Sequence, residues 1–142
     1  MIEIQNVYPK LVVADAAAAI DFYRSAFGAR ETARYTDSAG KIVHAEVTIG
    51  SFTVGVKDEG YGDVAPTSLG GTPVMMALDV SDADATAEAA VNSGARVIYP
   101  VSDQPHGGRA GRVADPFGHQ WIVSKRNQDL ASAEVQERVA AM

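Results

Sequence analysis

The chain repeats one order of predicted elements, and this repeat restricts its fold more than any other feature. In the first half Asp15 precedes Gly28 by 13 residues, and in the second half Ser81 precedes Gly94 by the same number. Each stretch runs from a side chain that can cap a helix start to a glycine that can end a helix. One predicted strand precedes each helix and three follow it. The order predicts two βαβββ modules, each too short to close a core alone.

Turn residues and hydrophobic periodicity give the expected boundaries of these elements. The segment 58–72 is rich in Gly, Pro, Asp and Ser and predicts a loop between modules of about 6–58 and 73–126. The modules form one predicted domain over 1–126, and 127–142 is a predicted helical tail. Strands are expected at 7–14, 30–36, 43–49, 52–57, 73–80, 95–101, 112–115 and 119–125, and a loop is expected at 102–111.

One helix covers only one face of a four-stranded sheet. The other face is left concave, and two such faces can enclose a pocket for a ligand. The predicted fold is therefore α+β, with two βαβββ modules forming a curved mixed sheet around a cavity, plus a C-terminal helix.

Composition excludes several classes of site. The chain has no cysteine, which excludes a disulfide framework, a thiolate zinc site, an iron–sulfur cluster and a cysteine nucleophile. Eighteen acidic residues against twelve basic ones give a net charge of −6, which disfavours nucleic-acid binding. Residues 1–10 lack the pattern of an export signal, and no run approaches the roughly 20 apolar residues of a membrane helix. We therefore expect a cytoplasmic protein with no nucleic-acid or membrane partner.

Two groups of residues resemble the two modules of a known superfamily. The first contains Tyr8-Pro9-Lys10-Leu11-Val12-Val13-Ala14-Asp15, Ala19-Ile20-Asp21-Phe22-Tyr23 and Ala26-Phe27-Gly28-Ala29. The second contains Asp103-Gln104, Gly108-Arg109, Gly111-Arg112 and Asp115-Pro116-Phe117-Gly118-His119-Gln120-Trp121. Over about residues 6–126 the chain resembles the glyoxalase/bleomycin-resistance/dioxygenase superfamily, or vicinal oxygen chelate proteins, and within it the glyoxalase-like or bleomycin-resistance-like branch. The resemblance implies paired βαβββ modules around a cavity and a homodimer. The enzymes of this family hold one divalent metal with four ligands, and the resemblance implies such a site where those ligands are present.

The resemblance places the four metal-ligand positions on Tyr8, Gly55, Met75 and Ile122. None of them is His or Glu, so we expect no metal cofactor; the alternative is one divalent metal held by other residues. Strand alternation adds Lys10 to the face of Tyr8. A cavity lined in this way suits a small, mostly apolar organic ligand, and the acidic balance favours an aromatic or cationic one. The alternative for each position is a side chain that fills the core.

Two further groups of polar residues are candidate ligand-binding residues. His44 and Glu46 share one strand face; they could form a general base with its orienting carboxylate, supply two metal ligands, or face solvent. Arg109 and Arg112, both flanked by glycines, could clamp a ligand carboxylate or phosphate, or could pair with the surplus acids. The sequence leaves these alternatives open.

Three remaining residues near the second module are also open to interpretation. His106 lies in the Gly-rich loop, where it either gates a pocket mouth or is solvated. His119 follows the Asp-Pro-Phe-Gly turn and is expected to be structural. Trp121 is expected to pack under a helix, because its neighbour Ile122 occupies a ligand position and strand alternation turns adjacent side chains apart.

These observations support three functional hypotheses. The first is a small-molecule-binding protein that lacks the usual metal ligands and sequesters a drug or metabolite. The second is a metal-dependent lyase, isomerase or dioxygenase whose ligands are displaced to His44, Glu46 or other residues. The third is an interaction protein without catalysis, suggested by the terminal helix, which we expect to dock on the second subunit of a homodimer. Whether any reaction is catalysed is left open by the sequence.

Overall fold

The computed structural model describes residues 1–127 and 129–142 and divides the chain into two units, Met1–Thr72 and Pro73–Met142. The division falls at the end of the predicted loop 58–72. Residue 128, which belongs to the predicted tail 127–142, lies outside the described residues.

The first unit is a four-stranded sheet with one long helix. Its elements are β1 (Lys10–Val13), α1 (Ala16–Phe27), β2 (Arg30–Thr36), β3 (Ile42–Ile49), β4 (Phe52–Asp58) and the short α2 (Pro66–Leu69). The strand order is β1-β4-β3-β2, with β1 parallel to β4 and the other pairs antiparallel.

The second unit repeats this arrangement. Its elements are β5 (Met75–Asp79), α3 (Ala83–Asn92), β6 (Arg96–Asp103), β7 (Arg109–Ala114), β8 (Gln120–Lys125) and α4 (Ser132–Ala140). The strand order is β5-β8-β7-β6, again with the first strand parallel to the last. The predicted α+β fold of two βαβββ modules with a C-terminal helix is confirmed. Within the described residues, no helix combines the length and the apolar character needed to cross a bilayer.

Strand alternation buries one face of each sheet and leaves the other less covered. In the first unit the buried apolar residues alternate along β1 and β4 and from Ala45 to Val47 in β3, while α1 buries Ile20 and Tyr23 completely. In the second unit β7 and β8 bury Val113, Trp121 and Val123, and α3 buries small residues. Each large aliphatic side chain buried in this way contributes about 1.5–3 kcal/mol to the free energy of unfolding. The complete burial of Trp121 agrees with its predicted packing. The buried apolar strand residues of the first unit are Leu11, Val13, Ile42, Ala45, Val47, Val54 and Val56.

Aspartate side chains begin both long helices. Asp15 accepts a hydrogen bond from the backbone N–H of Ala18, as predicted. The prediction that Ser81 caps the second helix is wrong, because Asp82 has the extended backbone of a cap and accepts from the N–H of Ala85. Two adjacent residues could each cap this helix start, and spacing alone placed the cap one residue early.

Several predicted boundaries also differ from the structure. The predicted loop 102–111 is shorter, since Asp103 pairs with Arg109 and both belong to strands. The predicted strand 7–14 begins at Lys10, which leaves Tyr8 before β1. The predicted loop 58–72 contains α2, and the predicted terminal helix begins at Ser132 instead of 127. Antiparallel pairing with β6 extends β7 beyond the residues whose hydrophobic character alternates. This is a tertiary effect that the local sequence pattern does not reveal.

The Asp115 carboxylate organises the turn between β7 and β8. Its Oδ1 accepts from the backbone N–H groups of Phe117 at 2.9 Å and His119 at 3.0 Å, and its Oδ2 accepts from the indole N–H of Trp121 at 2.9 Å. Asp115 and His119 are both buried. A buried carboxylate is stable when donors surround it in this way, so the turn and the largest core side chain are fixed by one group.

We expect Asp115→Asn to lower the free energy of unfolding by about 2–3 kcal/mol. The amide cannot supply acceptors on both sides, so either the turn or the indole N–H loses its partner. Urea unfolding of wild type, Asp115→Asn, Trp121→Phe and the double variant measures the coupling. The cost of Asp115→Asn should shrink in the Trp121→Phe background, and two costs that simply add would contradict this role.

Candidate ligand-binding site

The first unit presents a polar sheet face opposite α1, here called the first open face and defined by Lys10, Tyr35, His44, Glu46 and Gly55. Backbone register places Lys10 beside Gly55 and Gly55 beside Glu46, so three of these predicted site residues form one row across the sheet. A Cβ atom added to Gly55 would lie 3.2 Å from Lys10 Cγ. Glycine at this position therefore leaves space for the Lys10 side chain to cross the strand.

His44 and Glu46 are paired on this face. His44 Nε2 lies 3.1 Å from Glu46 Oε1, and the two side chains are 23 % and 33 % exposed. The imidazole is stacked on Tyr35 at a centroid distance of 6.2 Å and an interplanar angle of 11°. Half-burial and pairing distinguish these residues from a fully solvated pair, while their predicted roles as base or metal ligands stay predictions.

A second cation in the first unit has a structural partner. Lys57 is 5 % exposed and its Nζ donates to Asp63 Oδ2 and to the carbonyl oxygen of Gly60. The hydrogen bond from Lys57 and its charge hold the pKa of Asp63 below the ordinary value. This ammonium therefore ties the loop after β4 to the sheet.

The second unit presents its own face opposite α3, here called the second open face and defined by Met75, Tyr99, Arg112, Gln120 and Ile122. Register places Arg112 beside both Ile122 and Tyr99, while Met75 lies beside Gln120. Met75 is 45 % exposed and Ile122 is half-buried. The structure thus brings two predicted site residues of this unit onto neighbouring strands. Tyr8, predicted to share the face of Lys10, precedes β1 and is 39 % exposed.

Arg112 is the most polar group of the second open face. Its Nη1 donates to Gln120 Oε1 at 3.3 Å, and its guanidinium carbon lies 5.3 Å from the centroid of the Tyr99 ring. The Nε–H is buried and has no hydrogen-bond partner among the described residues. The sequence offers Arg112, together with Arg109, as a possible clamp for a ligand carboxylate or phosphate, and it does not single out Gln120 or Tyr99. The three-residue step from Arg109 to Arg112 places the two guanidinium groups on opposite faces of the strand, so they do not form one clamp.

Arg109 lies on the helix side of β7 and pairs with acids. Its Nε and Nη2 donate to the two carboxylate oxygens of Asp84, at 2.7 and 2.9 Å, and its Nη1 donates to Asp103 at 3.1 Å. Of the two alternatives, the structure shows the salt bridge. Binding of a ligand anion by Arg109 stays a prediction, since it requires an anion that competes with two carboxylates already in place.

An open cleft of about 1210 Å³ lies in the second unit where the β6–β7 loop, the ends of β5 and β8, and α4 approach one another. Its charged lining consists largely of pairs, such as Arg126 with Asp79 at 3.1 Å and Arg109 with Asp103. Cations and anions therefore compensate each other there. His106, in the adjacent loop, is half-buried with its ring close to Gly108, which leaves its predicted gating role a prediction.

Within residues 1–127 and 129–142, no three His, Asp or Glu side chains lie together as a group that could hold a metal ion. His44 and Glu46 provide two such groups. The residues at the positions that the resemblance assigns to metal ligands, Gly55 and Ile122 among them, do not fit a divalent metal, because neither has a side-chain donor.

Comparison with known proteins agrees with this fold and these motifs. A profile of the Glyoxalase/Bleomycin resistance protein/Dioxygenase superfamily matches residues 5–123, and the chain belongs to this superfamily. It is 44 % identical over 138 residues to the protein Mb0911c of Mycobacterium bovis, covering 94 % of this chain and 91 % of that one.

Solved structures with similar folds agree with the fold described above. TioX from Micromonospora sp. ML1 has a TM-score of 0.64 and 27 % identity, with 85 % of this chain and 98 % of TioX covered. The fosfomycin resistance protein FosX from Listeria monocytogenes, solved with Mn(II) and sulfate, has a TM-score of 0.66 and 15 % identity, with 89 % and 97 % covered. At that identity, the likeness to FosX concerns the fold alone.

The ion pair between Arg109 and Asp84 makes the free energy of unfolding depend on pH in the acidic range. The hydrogen bond from Arg109 holds the pKa of Asp84 below its ordinary value of 3.8. The stabilisation is therefore present above about pH 4 and is lost as the pH falls through the lowered pKa. We expect the stability difference between wild type and Asp84→Asn to shrink below pH 4.

Urea unfolding at several pH values from 7 to 2.5 measures this difference. Glu88→Gln is the matched control, because it removes one exposed carboxylate from the same helix without breaking this pair. A difference between wild type and Asp84→Asn that stays constant over the whole range would contradict the assignment.

Proposed function

We propose that this protein binds a small organic molecule, a drug or a metabolite, and sequesters it without a divalent metal ion. The observation that carries the proposal is the side-chain chemistry at the four positions that the resemblance assigns to metal ligands. Gly55 and Ile122 have no donor atom, Met75 offers a soft thioether, and Tyr8 offers a phenol. Catalytic zinc sites use three protein ligands drawn mainly from His, Asp, Glu and Cys, and no such set occurs among the described residues.

Exposed aromatic and apolar side chains support an organic ligand. On the first open face Tyr35 is 61 % exposed, and on the second open face Tyr99 is 61 % and Met75 45 % exposed. Aromatic rings and methionine give contact surface to ligands of varied shape at little entropic cost. The polar groups beside them, His44 with Glu46 and Arg112 with Gln120, can orient such a ligand.

A metal-dependent lyase, isomerase or dioxygenase is the second candidate function. The distance of 3.1 Å between His44 and Glu46 favours it, because imidazole and carboxylate are common ligands for zinc, nickel, iron and manganese. This pair supplies two ligands, so the candidate requires at least one more donor to move towards it.

Elemental analysis of purified protein separates the two candidates. We expect far less than one zinc, nickel, iron or manganese ion per chain, and no change on replacing His44→Gln or Glu46→Gln. Near-stoichiometric metal that is lost in either variant would establish the enzyme candidate and contradict ours.

The same sample, treated with EDTA, tests ligand binding by thermal unfolding. Binding to the native state raises the stability by RT ln(1 + [L]/Kd), about 2.7 kcal/mol at a hundredfold excess over Kd. Benzoate, benzamide and benzylamine form the core of the screen. All three contain one benzene ring, and at neutral pH they are negative, uncharged and positive, respectively. We expect members of such an aromatic library to raise Tm without metal, and a library that raises Tm only after Mn(II) or Zn(II) is added would contradict the proposal.

We also propose that the protein is a cytoplasmic homodimer in which α4 contacts the second subunit. A nine-residue helix is too short to persist in water by itself, and α4 buries none of its residues within this chain. Among its apolar residues Val139 is 43 % exposed, and Met142, two residues after the end of the helix, is 78 % exposed.

Removal of residues 128–142 should lower the mass measured by light scattering from that of a dimer towards that of a monomer. Val139→Asp is the matched point variant, because it places a charge among the apolar residues of α4 and keeps the chain length. A truncated chain that keeps both its dimer mass and its Tm would show that α4 has no part in assembly.

A further inference from the structure

Arg112 differs from every other arginine of this acidic chain. Five of the eight arginines form ion pairs at 2.7–3.4 Å, namely those at positions 24, 34, 109, 126 and 138. Arg30 and Arg96 are exposed to solvent at the beginnings of strands. Arg112 is half-buried, and no Asp or Glu of the described residues lies within ion-pair distance of it.

This environment leaves a charge without a counter-charge. A guanidinium group removed from water costs free energy unless acceptors replace the water, and a buried donor without a partner carries that cost in full. Gln120 supplies one neutral acceptor at 3.3 Å, and Tyr99 supplies the face of an aromatic ring. The buried Nε–H has no acceptor among the described residues.

The unmatched part of the guanidinium has the pattern that a carboxylate recognises. A carboxylate accepts two parallel hydrogen bonds from the N–H groups of one arginine, which Lys cannot reproduce. Because Nε of Arg112 is buried, its Nη groups are the donors for such a ligand. Tyr99, which is 61 % exposed, lies beside this position and offers a surface for an aromatic ring. Ile122, on the neighbouring strand, adds apolar surface next to Arg112.

From this geometry we infer that the second open face binds the carboxylate of an aromatic acid through Arg112, with Gln120 orienting the guanidinium and Tyr99 contacting the ring. The inference rests on the proposed function and names the charge class of its ligand. It replaces the cationic ligand that net charge alone favours, because a local unmatched cation outweighs a distributed excess of acids at contact distance.

Binding of benzoate to EDTA-treated protein tests the inference, with benzamide as the uncharged ring and acetate as the carboxylate without a ring. Isothermal titration should give a Kd for benzoate at least about tenfold lower than for either comparison molecule, since a bidentate ionic contact and a ring contact act together. Arg112→Met should weaken benzoate about tenfold or more and leave benzamide unchanged.

Two matched variants complete the experiment. Arg30→Met removes the same charge from the exposed end of β2 and should leave benzoate binding unchanged. Arg112→Lys keeps the charge without the fork and should weaken benzoate several-fold. If Arg112→Met fails to fold by circular dichroism, Arg112→Lys against Arg30→Met carries the comparison.

The outcomes distinguish this inference from the proposed function. Benzamide or benzylamine that binds as tightly as benzoate, equally in wild type and Arg112→Lys, overturns the carboxylate site and leaves small-molecule binding intact. Acetate or inorganic phosphate that binds as tightly as benzoate overturns it as well, because the arginine is then a general anion site. No binding of benzoate overturns the inference outright, and an inactive aromatic library in addition overturns the proposed function.

Discussion

One helix packs on each four-stranded sheet, and the rest of the molecule's chemistry depends on this limited coverage. Period-two alternation sends Leu11, Ala45 and Val56 into the buried side of the first unit, and Val113 and Val123 into that of the second. The residues between them must point to the opposite side, whatever their chemistry. Polar residues can therefore occupy that side, and His44 with Glu46 and Arg112 with Gln120 lie on the two open faces.

Aspartate carboxylates set the position of these faces by fixing backbone at the ends of strands. Asp58, at the end of β4, accepts from the backbone N–H of Ala16 through one oxygen and from that of Ile42 through the other, both at 2.7 Å. Asp115 has the corresponding duty in the second unit, where it joins a turn to Trp121. Each of these carboxylates hydrogen-bonds to more than one segment of its unit. Together these bonds hold the register of the strands, and the register decides which residues lie on each open face.

Local patterns of the sequence predict much of this fold. The repeat, the cap at Asp15, the alternation over β3 and the turn before β8 predicted the modules and the face shared by His44 and Glu46. Local patterns could not place Arg109, because its partner Asp84 is 25 residues away and pairing with Asp103 extends the strand into a segment that composition marks as loop. The sequence also groups Arg112 with Arg109 as one clamp, whereas the two face opposite sides of β7, and the contacts of Arg112 with Gln120 and Tyr99 depend on three strands meeting.

The family resemblance and the side-chain chemistry then point in different directions, and the difference is informative. The superfamily contains metal-dependent enzymes, yet Gly55 and Ile122 cannot ligate a metal, and the unmatched guanidinium of Arg112 offers a cation supplied by the protein itself. A positive charge on a sheet face can hold an anionic ligand oxygen while providing no open coordination position for chemistry. The proposed function, binding of a ligand without its conversion, needs no more than such a contact.

The most direct measurement is the side-chain Nε–Hε NMR signal of Arg112 during titration with benzoate in the presence of EDTA. The signal is assigned by its absence from the spectrum of Arg112→Lys. The account predicts a saturable shift of this signal, with a Kd equal to that from calorimetry, and no comparable shift with benzamide. A signal that stays unmoved while benzoate binds, or binding that appears only after Mn(II) is restored, would contradict it.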